Sequence, residues 1–170
     1  MITLDGSDNW FSAIGEHEIR CGDDHEQLVY EWTFELGLHM VSIGIVPAAN
    51  VTSQSDLNGY VFGGQIDKIE VYYAMGNYGG LEFNDGRVGP PNARGISEYG
   101  KSMRPGDVVK MTFNTAERTL SFERNDEDFG VLYDNIKSEH SYVMAVTCYV
   151  RREEITGDEF VKLLSASIHY

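Results

Sequence analysis

Basic side chains, cysteines and long apolar runs are all scarce in this sequence of 170 residues. It has 13 lysine and arginine residues against 27 aspartate and glutamate residues, which gives a net charge of −14 with histidine neutral. A surface this acidic repels phosphate backbones and anionic lipid headgroups. We therefore expect neither nucleic acid nor a membrane among the partners.

The two cysteines, Cys21 and Cys148, are too few for a disulfide framework. Cys148 shares one alternate face of "MAVTCYV" with Met144, Val146 and Val150, which predicts a buried free thiol. No window approaches the roughly 20 apolar residues of a membrane-spanning helix. The first residues, "MITLDGSDNW", have neither the basic region nor the apolar run of a secretory signal. We therefore expect an intracellular, cytoplasmic protein.

Helical periodicity is also missing, and the dominant period is two. In "YEWTFEL", Tyr30, Trp32, Phe34 and Leu36 alternate with polar residues, which predicts a half-buried antiparallel strand. The same alternation runs through "MVSIGIV", "DKIEVYYAM", "DVVKMTF" and "TLSFER", whereas "YVMAVTCYV" is apolar on both faces, as a central strand would be. Glycine-rich and Asn/Asp-rich turns separate these runs. The pattern predicts an all-β sandwich of two antiparallel sheets.

The length fits one domain over residues 1–170. Residues 151–170 end in "GDEFVKLLSASIHY", which fits a C-terminal strand or a short helix about equally well. The longest irregular region is 76–103, and a loop-rich stretch of that length inside a compact domain is commonly functional.

Catalytic and metal-binding patterns are absent from the sequence. The histidines are scattered without ligand spacing. The segment 125–130, "NDEDFG", is not a calcium loop, because Ile136 stands where the bidentate glutamate would be needed. Glu31 and Glu35 share a strand face but would lie about 13 Å apart, farther than the about 5–9.5 Å of a glycosidase pair. We expect no enzyme, no metal site and no cofactor.

Residues 106–130, "GDVVKMTFNTAERTLSFERNDEDFG", resemble the signature of the SPRY domain family. In that family a Gly-Asp pair opens a strand, a polar turn follows, and a "TLSF" strand leads into an Asn-Gly turn. Here Gly106-Asp107, Thr119–Phe122 and Asn125 match, and Asp126 replaces the turn glycine. We interpret "ERNDEDFG" as the polar turn that leads to the next strand. The flanking "YEWTFEL", "MVSIGIV" and "SYVMAVTCY" extend the resemblance over about residues 10–150.

The resemblance implies a SPRY-type sandwich, a concanavalin-like jelly roll. It also implies a non-enzymatic protein-protein interaction module, serving as an adaptor or complex subunit. Such a module captures a peptide or a partner domain in a pocket built from loops, and no cofactor is implied.

Tyrosine and arginine side chains in the glycine- and asparagine-rich loops are the candidate anchors for such a partner, because both residue types are enriched at binding hot spots. The candidate partner-binding residues are Tyr60, Tyr78, Arg87, Arg94 and Tyr99. Two alternatives stay open. One is a carbohydrate-binding, lectin-like sandwich, favoured by aromatic residues and Asn/Asp-rich loops. The other is a structural subunit that packs a broad apolar sheet face on a partner.

Overall fold

The computed structural model describes residues 2–3, 9–38, 41–53, 62, 73–76, 81–83, 103–150 and 160–170. They contain one short 3-10 helix, Ala48–Asn50, and no helix long and apolar enough to span a bilayer. They also contain eleven strands, whose bounds are β1 Ile2–Thr3, β2 Asn9–Ile14, β3 Val29–Leu36, β4 Val41–Pro47, β5 Tyr73–Gly76, β6 Leu81–Phe83, β7 Val108–Asn114, β8 Thr119–Arg124, β9 Glu127–Tyr133, β10 Tyr142–Val150 and β11 Phe160–His169.

The strands form two antiparallel sheets. The first sheet has six strands in the order β1-β11-β3-β7-β8-β9, and the second has five in the order β2-β10-β4-β5-β6. The predicted all-β sandwich is therefore confirmed. The prediction that "YVMAVTCYV" is a central strand is also confirmed, because β10 pairs with β2 on one side and with β4 on the other.

The inner core fills the space between the two sheets. On β3 the buried residues alternate with half-buried ones, so that Trp32, Phe34 and Leu36 face inward. Phe113 of β7 and Phe122 of β8 continue the same face across the first sheet. Each large apolar side chain buried in this way stabilises the fold by about 1.5–3 kcal/mol.

The second sheet, unlike the first, is buried on both faces at its strand β4. Its outward-facing residues Val46, Ala74 and Ala145 form a separate outer core with Val51 and Phe62, which come from the chain that follows β4. All seven residues of β4 are buried as a result. A strand in the interior of this sheet must therefore be apolar on both faces, as the sequence of β10 is.

A close approach of β5 to β4 depends on Gly44. A Cβ atom built on Gly44 would lie 2.6 Å from the Cα atom of Ala74 and would also collide with the carbonyl oxygen of Tyr73. Both obstacles are backbone atoms, so no side-chain rotation can relieve the clash. Only glycine fits at this position while β4 and β5 stay paired.

Two residues of the family-like segment clamp its ends together. Asn125 donates from Nδ2 to Oδ1 of Asp107 (2.8 Å), and the backbone N–H of Val108 donates to Oδ1 of Asn125 (2.8 Å). The backbone N–H of Arg104 donates to the other carboxylate oxygen of Asp107 (2.8 Å). Gly106 has a φ of +94°, a conformation that side chains with a Cβ rarely adopt. The Gly-Asp pair and the asparagine therefore have a structural role, fixing the β7–β8–β9 connections.

The interpretation of "ERNDEDFG" as a turn is wrong in its extent. The turn consists of Asn125 and Asp126 alone, and β9 already begins at Glu127. Both turn residues have positive φ, 50° and 66°, as the central residues of a type I′ hairpin turn do. Asparagine and aspartate tolerate this left-handed conformation better than most residues, so Asp126 can stand where the family has glycine.

The structure also shows the conformation of parts of two regions that the sequence leaves ambiguous. The tail forms a strand, β11, and not a short helix, because it hydrogen-bonds to β3 along its length. The region 76–103, expected to be irregular, includes the short strand β6, which pairs with β5. The predicted strand "DKIEVYYAM" is described only from Tyr73 onward, and Ile69 and Val71 lie outside the described residues.

Both cysteines are free and fully buried, which confirms the prediction for Cys148. Burial raises the pKa of the Cys148 thiol to about 12 and also raises that of Cys21. A thiol that stays protonated and shielded from solvent is a poor nucleophile. Neither cysteine is therefore a candidate catalytic residue.

We predict that replacing Gly44 with alanine destabilises the fold by about 3 kcal/mol, the upper range for overpacking, because the new methyl group meets backbone. Urea unfolding followed by tryptophan fluorescence measures the change. The matched control is Gly15→Ala, where the added Cβ would meet only side-chain and backbone atoms of Met144 at 3.5 Å or more. Equal stability of the two variants would contradict the close approach.

We also predict that stability falls between about pH 9 and 12, by up to about 1.4 kcal/mol per pH unit from Cys148. The folded thiol keeps its proton up to about pH 12, whereas the unfolded thiol releases it near pH 9, its ordinary value. High pH therefore favours the unfolded state. Unfolding free energies of the wild type and of Cys148→Ala, measured across this range, should diverge in slope; parallel curves would contradict the prediction.

Candidate binding cleft

The five loop residues predicted to bind a partner, Tyr60, Tyr78, Arg87, Arg94 and Tyr99, all lie outside the described residues. Their role stays a prediction.

A cleft of about 370 Å³ opens between the two sheets on the side where β11 and β2 lie. We call it the edge cleft. The first sheet contributes side chains of β3 and β11, and the second contributes Met144 of β10 together with the residues that follow β2. Its lining consists of Gly15, Glu16, His17, Tyr30, Trp32, Met144, Ala166, Ser167 and Ile168.

The pairing of β11 with β3 explains why this cleft is apolar. Ala166 is opposite Trp32, and Ile168 is opposite Tyr30. Residues opposite each other in an antiparallel pair point to the same side of the sheet, so Ala166 and Ile168 continue the inner face of β3. Among the described strands, the second sheet ends at β2, and it covers Ile168 only in part. Ile168 is consequently 50% exposed, although it faces the interior side of its sheet.

A pair of aromatic rings forms part of the cleft wall. The ring centroids of Tyr30 and Trp32 are 5.8 Å apart and their planes differ by 15°, a stacked arrangement. Trp32 is buried, and Tyr30 is half-buried and packs against the inner core. Stacked, packed rings offer a rigid apolar surface with little conformational entropy left to lose on binding.

The charges near the cleft are mostly negative. Glu16 is exposed on its rim beside His17, and burial together with the negative charge of Glu26 raises the pKa of the Tyr30 hydroxyl. On the outer face of the sheet, by contrast, Glu31 lies 2.8 Å from Nε2 of His169 and forms a salt bridge with Lys110. Among the described residues, neither Glu16 nor Glu26 forms a salt bridge.

A second, smaller cleft of about 280 Å³ lies where the β9–β10 connection meets the end of β4. It is more polar, with Arg20, Glu139 and His140 among its lining residues, and the His140 ring makes an edge contact with Tyr142. It has no apolar floor to compare with the Tyr30–Trp32 pair. In the described part of the chain, no three His, Cys, Asp or Glu side chains group at a distance suited to a metal ion.

The edge-cleft residues were not predicted as a site from the sequence. Periodicity placed Tyr30 and Trp32 on the apolar face of one strand, which is right, but it did not show that the two rings also line a cleft. The available signal was the tail itself, because "KLLSASIH" combines apolar residues with an absence of carboxylates. That signal becomes informative only when β11 is known to lie near the edge of a sheet.

Known structures share this architecture at low sequence identity. The SPRY domain of human HERC1 superposes with a TM-score of 0.60 at 16% identity, covering 95% of this chain and 90% of that one. A second human SPRY domain gives 0.52 at 14% identity, over 92% of this chain and 85% of that one. The carbohydrate recognition domain of Emp46p gives 0.54 at 14% identity, over 98% and 81%.

No protein-family model matches the sequence, and no curated protein matches it. The likeness to solved structures therefore concerns the fold. The resemblance of residues 106–130 to the SPRY signature is confirmed at that level: this chain has the β-sandwich fold of the SPRY domains.

Proposed function

We propose that this chain is a non-enzymatic protein-interaction module that captures a peptide or a partner domain. The observation that carries the proposal is the edge cleft, an apolar concavity of about 370 Å³ with a stacked Tyr30–Trp32 wall. Its volume is within the range of about 300–1,000 Å³ that is usual for ligand sites. Aromatic anchoring surfaces of this kind are enriched at binding hot spots.

The proposal includes two surfaces. The edge cleft provides a rigid apolar pocket, and the loop residues Tyr60, Tyr78, Arg87, Arg94 and Tyr99 provide a second candidate surface. The fold of the SPRY domains supports a module of this class, serving as an adaptor or a subunit of a complex. The free, buried thiols fit the expected intracellular, cytoplasmic location, because disulfides are rare in reducing compartments.

Carbohydrate binding is the second candidate function. It is favoured by the fold similarity to the carbohydrate recognition domain of Emp46p. Sugars need several directional hydrogen bonds besides a stacking surface. The edge cleft offers few polar side chains, chiefly Glu16 and His17. The balance of its lining favours apolar peptide side chains over a sugar.

The test of the proposal is a selection of binding peptides from a random displayed library, followed by affinity measurements with variants. Ile168→Lys should weaken the selected peptides about 10- to 100-fold, as expected for losing about 1.5–3 kcal/mol of apolar burial. The matched control is Val131→Lys on β9, at the opposite edge of the same sheet, because Val131 is 48% exposed and Ile168 is 50% exposed. The control should bind as the wild type does.

A combined variant, Tyr78→Ala, Arg94→Ala and Tyr99→Ala, decides between the two surfaces. If it abolishes binding while Ile168→Lys does not, the loops are the site and the edge cleft is not. If no peptide is selected at all, peptide capture is contradicted.

A glycan array probed with and without calcium tests the second candidate. We expect no specific sugar binding in either condition, because the edge cleft has too few hydrogen-bonding groups. Specific binding to one class of glycan would favour the lectin-like function over peptide capture.

A further inference from the structure

The smaller cleft of about 280 Å³, which we call the polar cleft, is formed by three segments of the chain. It is lined by Arg20, by Pro47 and Ala49 where β4 ends, and by residues 138–141 of the β9–β10 connection. Among the described residues, it shares no lining residue with the edge cleft. The polar cleft therefore offers a second place for a ligand, which the proposed function does not use.

Backbone hydrogen bonds join these three segments to one another. Ile19, next to Arg20, exchanges both backbone hydrogen bonds with Tyr142, at 2.7 and 2.8 Å. The backbone N–H of Ala48 donates to the carbonyl oxygen of Ser141 (2.9 Å). Both bonds end on residues at the start of β10 or directly before it, so the cleft is held against the second sheet.

Two buried tyrosines anchor the β9–β10 connection from the core. The Tyr142 hydroxyl donates to the carbonyl oxygen of Lys137 (2.7 Å), and the backbone N–H of Lys137 donates to the hydroxyl oxygen of Tyr73 (3.3 Å). Both tyrosine side chains are fully buried. A connection fixed in this way has little conformational entropy left to lose when a ligand binds beside it.

Three side chains with donor groups at the polar cleft form no hydrogen bond within the described residues. Arg20 is exposed between the buried residues Ile19 and Cys21, so its side chain points away from the core. Its guanidinium also forms no salt bridge in this part of the chain. The Ser138 hydroxyl and the ring nitrogens of His140 are likewise without a hydrogen bond there. These donors are available to a ligand.

The donor set matches a carboxylate. A guanidinium presents its N–H groups in a planar fork that fits the two oxygens of a carboxylate. A serine hydroxyl and a histidine ring N–H can each donate one further hydrogen bond. Pro47 and Ala49 offer apolar contacts to the carbon atoms that carry the carboxylate. The volume is slightly below the about 300–1,000 Å³ of larger ligand sites, so it suits one side chain or one chain end.

Two neighbouring acidic residues limit the charge that the ligand can carry. The side chain of Glu139 is 61% exposed, and its Oε1 lies 4.0 Å from Nε2 of His140. Glu18 accepts a hydrogen bond from the Ser141 hydroxyl (3.1 Å). Arg20 can balance one negative charge, whereas a phosphate group carries about −1.5 to −2 and would be repelled by both carboxylates. We therefore expect a ligand group with a single negative charge.

We propose that the polar cleft binds a carboxylate group of a peptide. Arg20 holds it through two parallel hydrogen bonds, and Ser138 and His140 donate to the same oxygens. The carboxylate belongs either to the C-terminus of the peptide or to an aspartate or glutamate side chain. This site goes beyond the proposed function, and because it does not involve the edge cleft, the two stand or fail separately.

The experiment is an NMR titration of the isotope-labelled protein with four acetylated tripeptides. The first has a free C-terminal carboxylate and no charged side chain, and the second is the same peptide with an amidated C-terminus. The third and fourth are also amidated and carry glutamate or phosphoserine in the middle. We expect a carboxylate peptide to shift the amide signals of Arg20 and residues 138–141, and the uncharged peptide to leave them unchanged. Whether the first or the third peptide binds more tightly identifies the source of the carboxylate.

The variant Arg20→Gln tests the anchor. It should weaken the carboxylate peptide about 5- to 10-fold, between the values for an exposed ion pair and for a hydrogen bond to a charged group. Arg20→Lys keeps the charge but not the planar fork, so it should restore the affinity only in part.

The matched control is Arg104→Gln, which removes the same charge from another exposed arginine. Arg104 lies just before β7, whereas the segment of Arg20 meets the chain just after β7, where the Gly22 N–H donates to the carbonyl oxygen of Thr115 (3.3 Å). The control variant should bind as the wild type does.

Four outcomes would overturn the inference. The first is that neither carboxylate peptide shifts the signals of Arg20 and residues 138–141. The second is that the uncharged peptide binds as well as they do, and the third is that the phosphoserine peptide binds more tightly. The fourth is an equal effect of Arg20→Gln and Arg104→Gln, which would make the attraction a general effect of charge. The proposed function is tested separately by Ile168→Lys, at a residue that does not line the polar cleft.

Discussion

The alternation of side chains along β3 is the constraint on which the rest of the structure depends. Because successive residues of a strand point to opposite faces, the same strand supplies Phe34 and Leu36 to the inner core and Glu31 to the solvent face. The inward face does not end with the core. Toward its beginning, β3 presents Tyr30 and Trp32, and these rings serve the core on one side and the edge cleft on the other.

The two sheets differ in how many of their faces are covered by core, and the candidate site results from this difference. At β4 the second sheet has core on both faces, and Val51 and Phe62 pack on its outer side. The first sheet has a polar outer face, where Lys110 bridges Glu31 of β3 and Glu123 of β8. Where the first sheet extends past the second at β11, an inner apolar face meets solvent. Keeping an apolar concavity of this kind in contact with water is unfavourable, because apolar surface is more stable when it is buried.

The segment that identifies the fold is not the segment that forms the candidate site. Asp107 and Asn125 hold each other through side-chain and backbone hydrogen bonds, and this clamp sets the β7–β8–β9 register. These residues are typical of the fold because their hydrogen bonds hold the start of β7 against the β8–β9 turn. The edge cleft, in contrast, is built from β3, β10 and β11, which are far apart in the chain. A family-like motif can therefore indicate the architecture without contributing to the candidate site.

The sequence by itself determined the class of fold, the main strands and the core. Period-two alternation depends on neighbouring residues alone, which is why the strands that hold Trp32, Phe34, Phe113 and Phe122 could be recognised; all four residues lie in the core. Alternation could not predict the length of the β8–β9 turn. The segment "EDFG" has no clear alternation, and it is a strand because it pairs with β8. The tail was ambiguous for the same reason: helix or strand depended on whether β3 offered an edge. Only the tertiary structure decided that β11 pairs with β3, that β2 leaves it partly uncovered, and that Tyr30, Met144 and Ile168 meet at one cleft. Those facts depend on contacts between distant segments, and the local sequence does not indicate which strand lies at the end of a sheet.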